Sequence, residues 1–136
     1  MKSPSNWPHI IVKDNFLSEK HFNAIKNIKF DTKPNEWDIY KHKRYDNGKD
    51  YVFGIHSDSR DKLLSAVIYI SPEVNEGTWL YDNKKGDNPI QVEWLPNRNF
   101  IFCRNDNTWH SYKADGKTNR LALVYNLRSD KKWFKK

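Results

Sequence analysis

From residue 51 onward the chain is a succession of short β-patterned segments cut apart by turn residues, and this spacing constrains the fold more than any other feature. Leu63 to Ile70 is the clearest segment: it is apolar and rich in β-branched residues, and Ser71-Pro72 closes it. Tyr51 to Asp58, Thr78 to Tyr81, Ile90 to Trp94, Asn99 to Cys103, Trp109 to Lys113 and Arg120 to Leu127 read as further strands, with clusters of Gly, Pro, Asn and Asp between them. Asp46-Asn47-Gly48 reads as the turn that leads into the segment from Tyr51. Earlier in the chain, Ile10 to Val12 and Trp37 to Tyr40 fit strands. Between them Ser18 is a candidate N-cap for a helix carrying Phe22, Ile25 and Ile28 at helical spacing, and Pro34 ends that region. One N-terminal helix followed by many short strands predicts a mainly β chain of the α+β class, folded as a sandwich or double-sheet jelly roll.

Such a fold needs a core, and apolar residues make up just 37% of this chain while charged ones reach 30%. Aromatic residues supply the missing volume. They are 15% of the sequence and include 6 tryptophans, and large rings fill a core from few positions. A length of 136 residues predicts one domain spanning residues 1–136. The net charge of +7 attracts acidic partners. The lysines are scattered, however, apart from small concentrations at Lys41 to Arg44 and at Lys131, Lys132, Lys135 and Lys136. A solvated surface accounts for them better than a nucleic-acid face. The single cysteine, Cys103, allows no disulfide within the chain and reads as a small core residue. No apolar run suits a signal peptide or a membrane span. The expectation is therefore a cytoplasmic protein.

The residues that carry chemistry begin at His56-Ser57-Asp58. Side chains two apart on a strand share a face, so the imidazole and the carboxylate converge if the segment is extended. By itself His-x-Asp is a weak signal, better explained by a strand with a surface ion pair or a hydrogen-bonded histidine. A third group strengthens it. His110 heads a later strand, and Arg120 follows ten residues on, past the turn-forming Ala114-Asp115-Gly116-Lys117-Thr118. A hairpin centred near Asp115 would set His110 and Arg120 level on neighbouring strands. Two histidines and one carboxylate are the facial set of non-haem iron(II) oxygenases. A guanidinium beside them suits bidentate capture of a carboxylate.

In this order the segment from Tyr45 to Leu127 resembles the catalytic core of the prolyl 4-hydroxylase-like iron(II)- and 2-oxoglutarate-dependent oxygenases. The matching pieces are Tyr45 with Gly48, His56-Ser57-Asp58, LLSAVIYIS from Leu63, EGTWLY from Glu76, NFIF from Asn99, His110, and NRLALVY from Asn119. FLSEKHFNAI also stands where the family has a helix. The resemblance implies a double-stranded β-helix, a jelly-roll, cupin-like core. It implies His56, Asp58 and His110 as iron ligands and Arg120 as the partner of the distal carboxylate of 2-oxoglutarate. Tyr69 would bind the same carboxylate. Tyr45 would stand near cosubstrate or substrate, and Thr78 would line the cosubstrate pocket with Ala122 and Val124 as its wall. The implied reaction uses dioxygen, with ascorbate as an accessory reductant, and hydroxylates a substrate, foremost a prolyl residue in a peptide or protein, with release of succinate and carbon dioxide. A small-molecule substrate is a further option. Trp79, Tyr81 and Trp109 are candidates to line the substrate opening. The family often has glycine where this chain reads Pro96-Asn97-Arg98-Asn99, so that turn must be built differently.

Two other classes compete. A non-catalytic jelly-roll module that binds a metal or carbohydrate would keep the barrel, but it has no need of Arg120. A basic module stacking nucleobases on its aromatics would bind with a steep salt dependence and without iron. His9, His21 and His42 fall outside the pattern and read as surface residues.

Overall fold

The computed structural model describes residue 4, residues 6–27, the backbone of 42–47, and residues 52–129. The predicted strand at Trp37 to Tyr40, Gly48, Ile28, Pro34 and the C-terminal lysines lie outside the described residues. Among the described residues nine strands and one helix follow in the order β1 (Ile10–Lys13), α1 (Glu19–Asn27), β2 (His42–Asn47), β3 (Val52–His56), β4 (Lys62–Ser71), β5 (Thr78–Tyr81), β6 (Ile90–Val92), β7 (Asn99–Cys103), β8 (Trp109–Lys113) and β9 (Arg120–Arg128). They form two antiparallel sheets. One has the order β1-β7-β4-β9-β2, the other β3-β8-β5-β6.

Period-two patterning assigns the faces of the larger sheet. On β4, Tyr69 turns toward the opposing sheet, where it joins Trp7, Leu80, Val92, Trp94, Phe100 and Phe102 in an aromatic-rich core. The alternate residues Ile68 and Ile70, with Leu121 and Leu123 of β9, meet Leu17, Phe22 and Ile25 on the other face. The helix starts where expected. Ser18 Oγ accepts the His21 amide at 3.2 Å, and the apolar side of α1 lies over β4.

Four expectations are corrected. β2 runs through Asp46 and Asn47, which therefore extend a strand along β9 instead of turning. β6 ends at Val92, short of Trp94, whose indole turns inward to donate to the Pro72 carbonyl at 2.7 Å. Cys103 is exposed, because Phe100 and Phe102 take the inward parity of β7. β8 and β9 do not form a hairpin. Their connection passes from one sheet to the other, so Arg120 lies level with Asn47 and not with His110. Asp115 builds this crossing by accepting the amides of Lys117 and Thr118 at 2.9 and 3.0 Å, with Gly116 in the left-handed region.

The turn that lacks glycine is built on Asn97. Its φ of 65° is the left-handed conformation that asparagine tolerates. Its side-chain amide then bonds both the N–H and the carbonyl of Leu17, at 2.9 and 2.8 Å, tying the turn to the start of α1.

Candidate metal centre and its pocket

His56 and His110 are register partners on β3 and β8, so both imidazoles rise from the inner face of the smaller sheet with ring centroids 4.3 Å apart. Asp58 is not on the strand, as the extended reading supposed. β3 ends at His56, and Asp58 belongs to the following loop. Its position is fixed from outside: Arg104 Nε donates to the Asp58 carbonyl at 2.9 Å. The carboxylate still reaches the histidines. Asp58 Oδ1 lies 3.6 Å from His56 Nε2 and 3.7 Å from His110 Nε2. Those separations are too long for hydrogen bonds and leave room for an ion between the donors. All three ligand atoms lie within 4.8 Å of one another, the one such cluster of three among the described residues.

The histidines are held in the tautomer a metal needs. His56 Nδ1 donates to the Gly54 carbonyl at 2.7 Å and His110 Nδ1 to the Thr108 carbonyl at 2.8 Å, so each Nε2 presents a lone pair to the cluster. Protonation states agree. Burial lowers the pKa of His110 to about 4, against the opposing pull of Asp58, so this ring is neutral near pH 7. Burial raises Asp58, but the neighbouring His56, His110 and Lys62 lower it more, to about 2, and it is anionic. The neutral His110 ring and the Asp58 carboxylate, with the Nε2 of His56 beside them, make a donor set of the kind that binds a divalent first-row metal. Aromatic rings surround them. Phe53 stacks on His56 at 3.8 Å, and Phe102 meets His110 edge-on at 5.3 Å.

The cluster opens into a cavity of about 100 Å³ between the two sheets. Arg120 lines it although β9 belongs to the other sheet. The sandwich itself brings Arg120 and His110 to one space, which the predicted hairpin would have done by adjacency. Arg120 is 2% exposed, and its guanidinium carbon lies 4.5, 5.0 and 5.7 Å from the ring centres of Tyr112, Trp94 and Tyr69. These rings hold a planar cation in place. Thr78, Ala122 and Val124 line the cavity as expected. Tyr69 does not reach it. Its hydroxyl is 2.6 Å from Thr78 Oγ1, so Thr78 stands between the phenol and the cavity. Only the backbone of Tyr45 is described, level with Ala122. Trp79 and Tyr81 face away from the metal cluster, in a separate groove on the outside of the smaller sheet, and Trp109 lines neither space. His9 and His21 are exposed, as expected; the side chain of His42 is not described.

Sequence reasoning missed Lys62, Tyr112, Phe53 and Asn126 in the cavity wall, and Arg104 behind Asp58. Lys62 carried a readable signal, a cation at i+4 from Asp58 at the head of an apolar strand. Arg104 carried none, because the contact spans 46 residues.

No family model matches the sequence, and no curated protein matches it. Solved structures do. A crystal structure of a Pseudomonas putida prolyl-4-hydroxylase superposes with a TM-score of 0.63 over 89% of this chain and 88% of that one, at 14% identity. A prolyl hydroxylase from Trichoplax adhaerens, solved with a hypoxia inducible factor oxygen degradation domain peptide fragment, superposes with a TM-score of 0.54 over 91% and 84%, also at 14% identity. Likeness at this identity speaks to the fold. No helix among the described residues is long and apolar enough to cross a membrane. The two antiparallel sheets facing each other across the cavity, and the agreement with both hydroxylase structures along most of the chain, make the fold a double-stranded β-helix of the kind found in prolyl hydroxylases.

Proposed function

We propose that the protein is an iron(II)- and 2-oxoglutarate-dependent oxygenase that hydroxylates a prolyl residue of a peptide or protein, with succinate and carbon dioxide as coproducts. The observation that carries this reading is the convergence of His56, Asp58 and His110 beside the buried guanidinium of Arg120 in one cavity. The single domain spans residues 1–136, with the catalytic core at 45–127. Prolyl hydroxylation leads because both structural neighbours are prolyl hydroxylases and one was solved with a peptide.

The donor set fits the metal. His56 Nε2, His110 Nε2 and an Asp58 carboxylate oxygen would hold the ion, whose further ligands would come from the cavity. Bound there, iron(II) supplies the dioxygen and one-electron chemistry that side chains cannot perform, with 2-oxoglutarate as the co-substrate that is oxidised. The remaining tasks fall to the chain. Arg120 pairs with the distal carboxylate of 2-oxoglutarate, and the ring faces around it keep its fork from rotating. Thr78 adds a hydroxyl at the same end, oriented from behind by Tyr69. Tyr45 stands near the cosubstrate or substrate. Phe100, Phe102, Val67 and Val124 keep the walls apolar and exclude water from the reacting end.

Anaerobic titration with iron(II) and then 2-oxoglutarate tests the reading, with His110→Ala alongside. A weak visible charge-transfer band in the parent, lost in the variant, is the expected result. A folded, metal-loaded parent without the band would leave a non-catalytic jelly-roll module as the better account.

A further inference from the structure

Lys62 opens β4 and lines the cavity, where its side chain is 21% exposed. Among the described residues its ammonium has one ion pair, 3.8 Å to Asp58 Oδ1, and no hydrogen bond. That distance is too long for a hydrogen bond. An ammonium is a compact, strongly hydrated charge with three donors, and holding it in a largely apolar cavity is unfavourable unless an acceptor meets it. The Asp58 carboxylate, its ion-pair partner among the described residues, is the group that the proposed metal would take.

Asn126 adds a second donor. Ser65, its register partner across β4 and β9, donates its hydroxyl to Asn126 Oδ1 at 2.8 Å. The acceptor side of this amide is therefore occupied, and the Nδ2 hydrogens are the donors left for the cavity that Asn126 lines. Lys62 stands just beyond this pair, level with Arg128. Arg120 is at the opposite end of β9, six positions from Asn126, about 20 Å of strand at the usual rise. The cavity is thus lined by a cation toward each end of β9, with Lys62 beside the candidate ligand Asp58. A 2-oxo dicarboxylate paired with Arg120 and chelated at the metal has both of its ends satisfied, and Lys62 and Asn126 remain for another molecule.

We infer that Lys62 and Asn126 form an anion-binding subsite at the end of the cavity away from Arg120, and that the substrate carries a carboxylate close to the carbon that is oxidised. The substrate class is a free or N-acylated amino acid, or the C-terminal residue of a peptide, and not a residue inside a chain. This inference rests on the proposed oxygenase reading of the site and replaces its in-chain prolyl substrate with a class that carries a free carboxylate. The metal-chelating carboxylate of 2-oxoglutarate could meet the same two donors, and the experiment separates that source from the substrate.

Protein loaded anaerobically with iron(II) and saturating 2-oxoglutarate is titrated with the N-acetyl derivatives of the twenty amino acids and with their neutral amides. Binding is read as a shift of the charge-transfer band. At least one carboxylate is expected to shift the band at a tenfold lower concentration than its amide. Lys62→Met and Asn126→Ala should abolish that preference and leave 2-oxoglutarate affinity within twofold, while Lys62→Arg should keep part of it. Equal response to acids and amides in the parent overturns the inference, as does a preference that survives in Lys62→Met and Asn126→Ala. A tenfold loss of 2-oxoglutarate affinity in Lys62→Met with the preference intact assigns Lys62 to the cosubstrate instead. Failure of the band to form in the parent is a different result, which removes the oxygenase reading and this inference with it.

Discussion

Arg104→Met tests whether the metal centre depends on an anchor outside the cavity. Arg104 Nε donates to the Asp58 carbonyl at 2.9 Å, and its NH1 group meets Asp106 at the same distance. The two contacts differ in weight. Asp106 is 68% exposed, so its ion pair contributes little. The Arg104 side chain is 13% exposed, and a hydrogen bond from a charged donor is worth about 1.5–3 kcal/mol, here to a partly buried carbonyl. Methionine keeps the apolar stem and removes the donors, so the loss should stay near the lower end of that range, ~2 kcal/mol. At about 2.1 cal/mol/K of unfolding entropy per residue, this lowers the melting temperature by roughly 7 °C. The larger effect should be on metal binding. Releasing the Asp58 backbone lets one of three ligands wander, and loss of such a supporting contact costs about 10–100-fold in affinity. Differential scanning calorimetry and a cobalt(II) titration read the two effects, with Asp106→Ala as the control for the outer ion pair. A variant that binds cobalt(II) as the parent does, or an Asp106→Ala that loses as much as Arg104→Met, would show that the loop places Asp58 unaided.

Gly77→Ala should destabilise by at least ~3 kcal/mol, because a Cβ there would stand 1.8 Å from the Val92 carbonyl oxygen and 2.9 Å from the Trp94 nitrogen, backbone atoms that cannot step aside; a denaturant midpoint equal to the parent's would contradict the packing. The metal-free protein should lose stability as pH falls. His110 titrates at about 4 in the fold against 6.5 when unfolded, so the unfolded chain binds the extra proton between those values. The contribution is complete above pH 6.5 and about 3 kcal/mol has gone by pH 4; urea unfolding across this window should show the slope in the parent and not in His110→Gln. Tyr69→Phe should cost about 1 kcal/mol, the value of its hydrogen bond to Thr78. It should also weaken 2-oxoglutarate binding less than Thr78→Val does, because Thr78 is the member of the pair that faces the cavity; the reverse order in a spectral titration would restore Tyr69 as the direct ligand.

Local chemistry was legible without the fold. The period-two apolar run of β4, the Ser18 cap of α1 and the His-x-Asp spacing are each written within a few residues, so propensity and patterning decide them. The same holds for the inward parity of Arg120, Ala122 and Val124, which alternation on one strand dictates. Errors arose wherever a partner distant in sequence decides the outcome. Asp115 and Gly116 specify a turn, but a turn does not say which sheet its second strand joins, and β9 pairs with β4 and β2 instead of β8. Cys103 is exposed because Phe100 and Phe102 compete for the inner face. The loop position of Asp58 depends on Arg104, and the availability of Lys62 and Asn126 depends on which hydrogen bonds their neighbours have already taken. A single sequence thus determined the helix, the strands other than β2 and the residue types that can hold a metal. The tertiary structure alone decided which end of the cavity each cation occupies, because that depends on sheet order and register, and both are set by contacts between segments that carry no local record of each other.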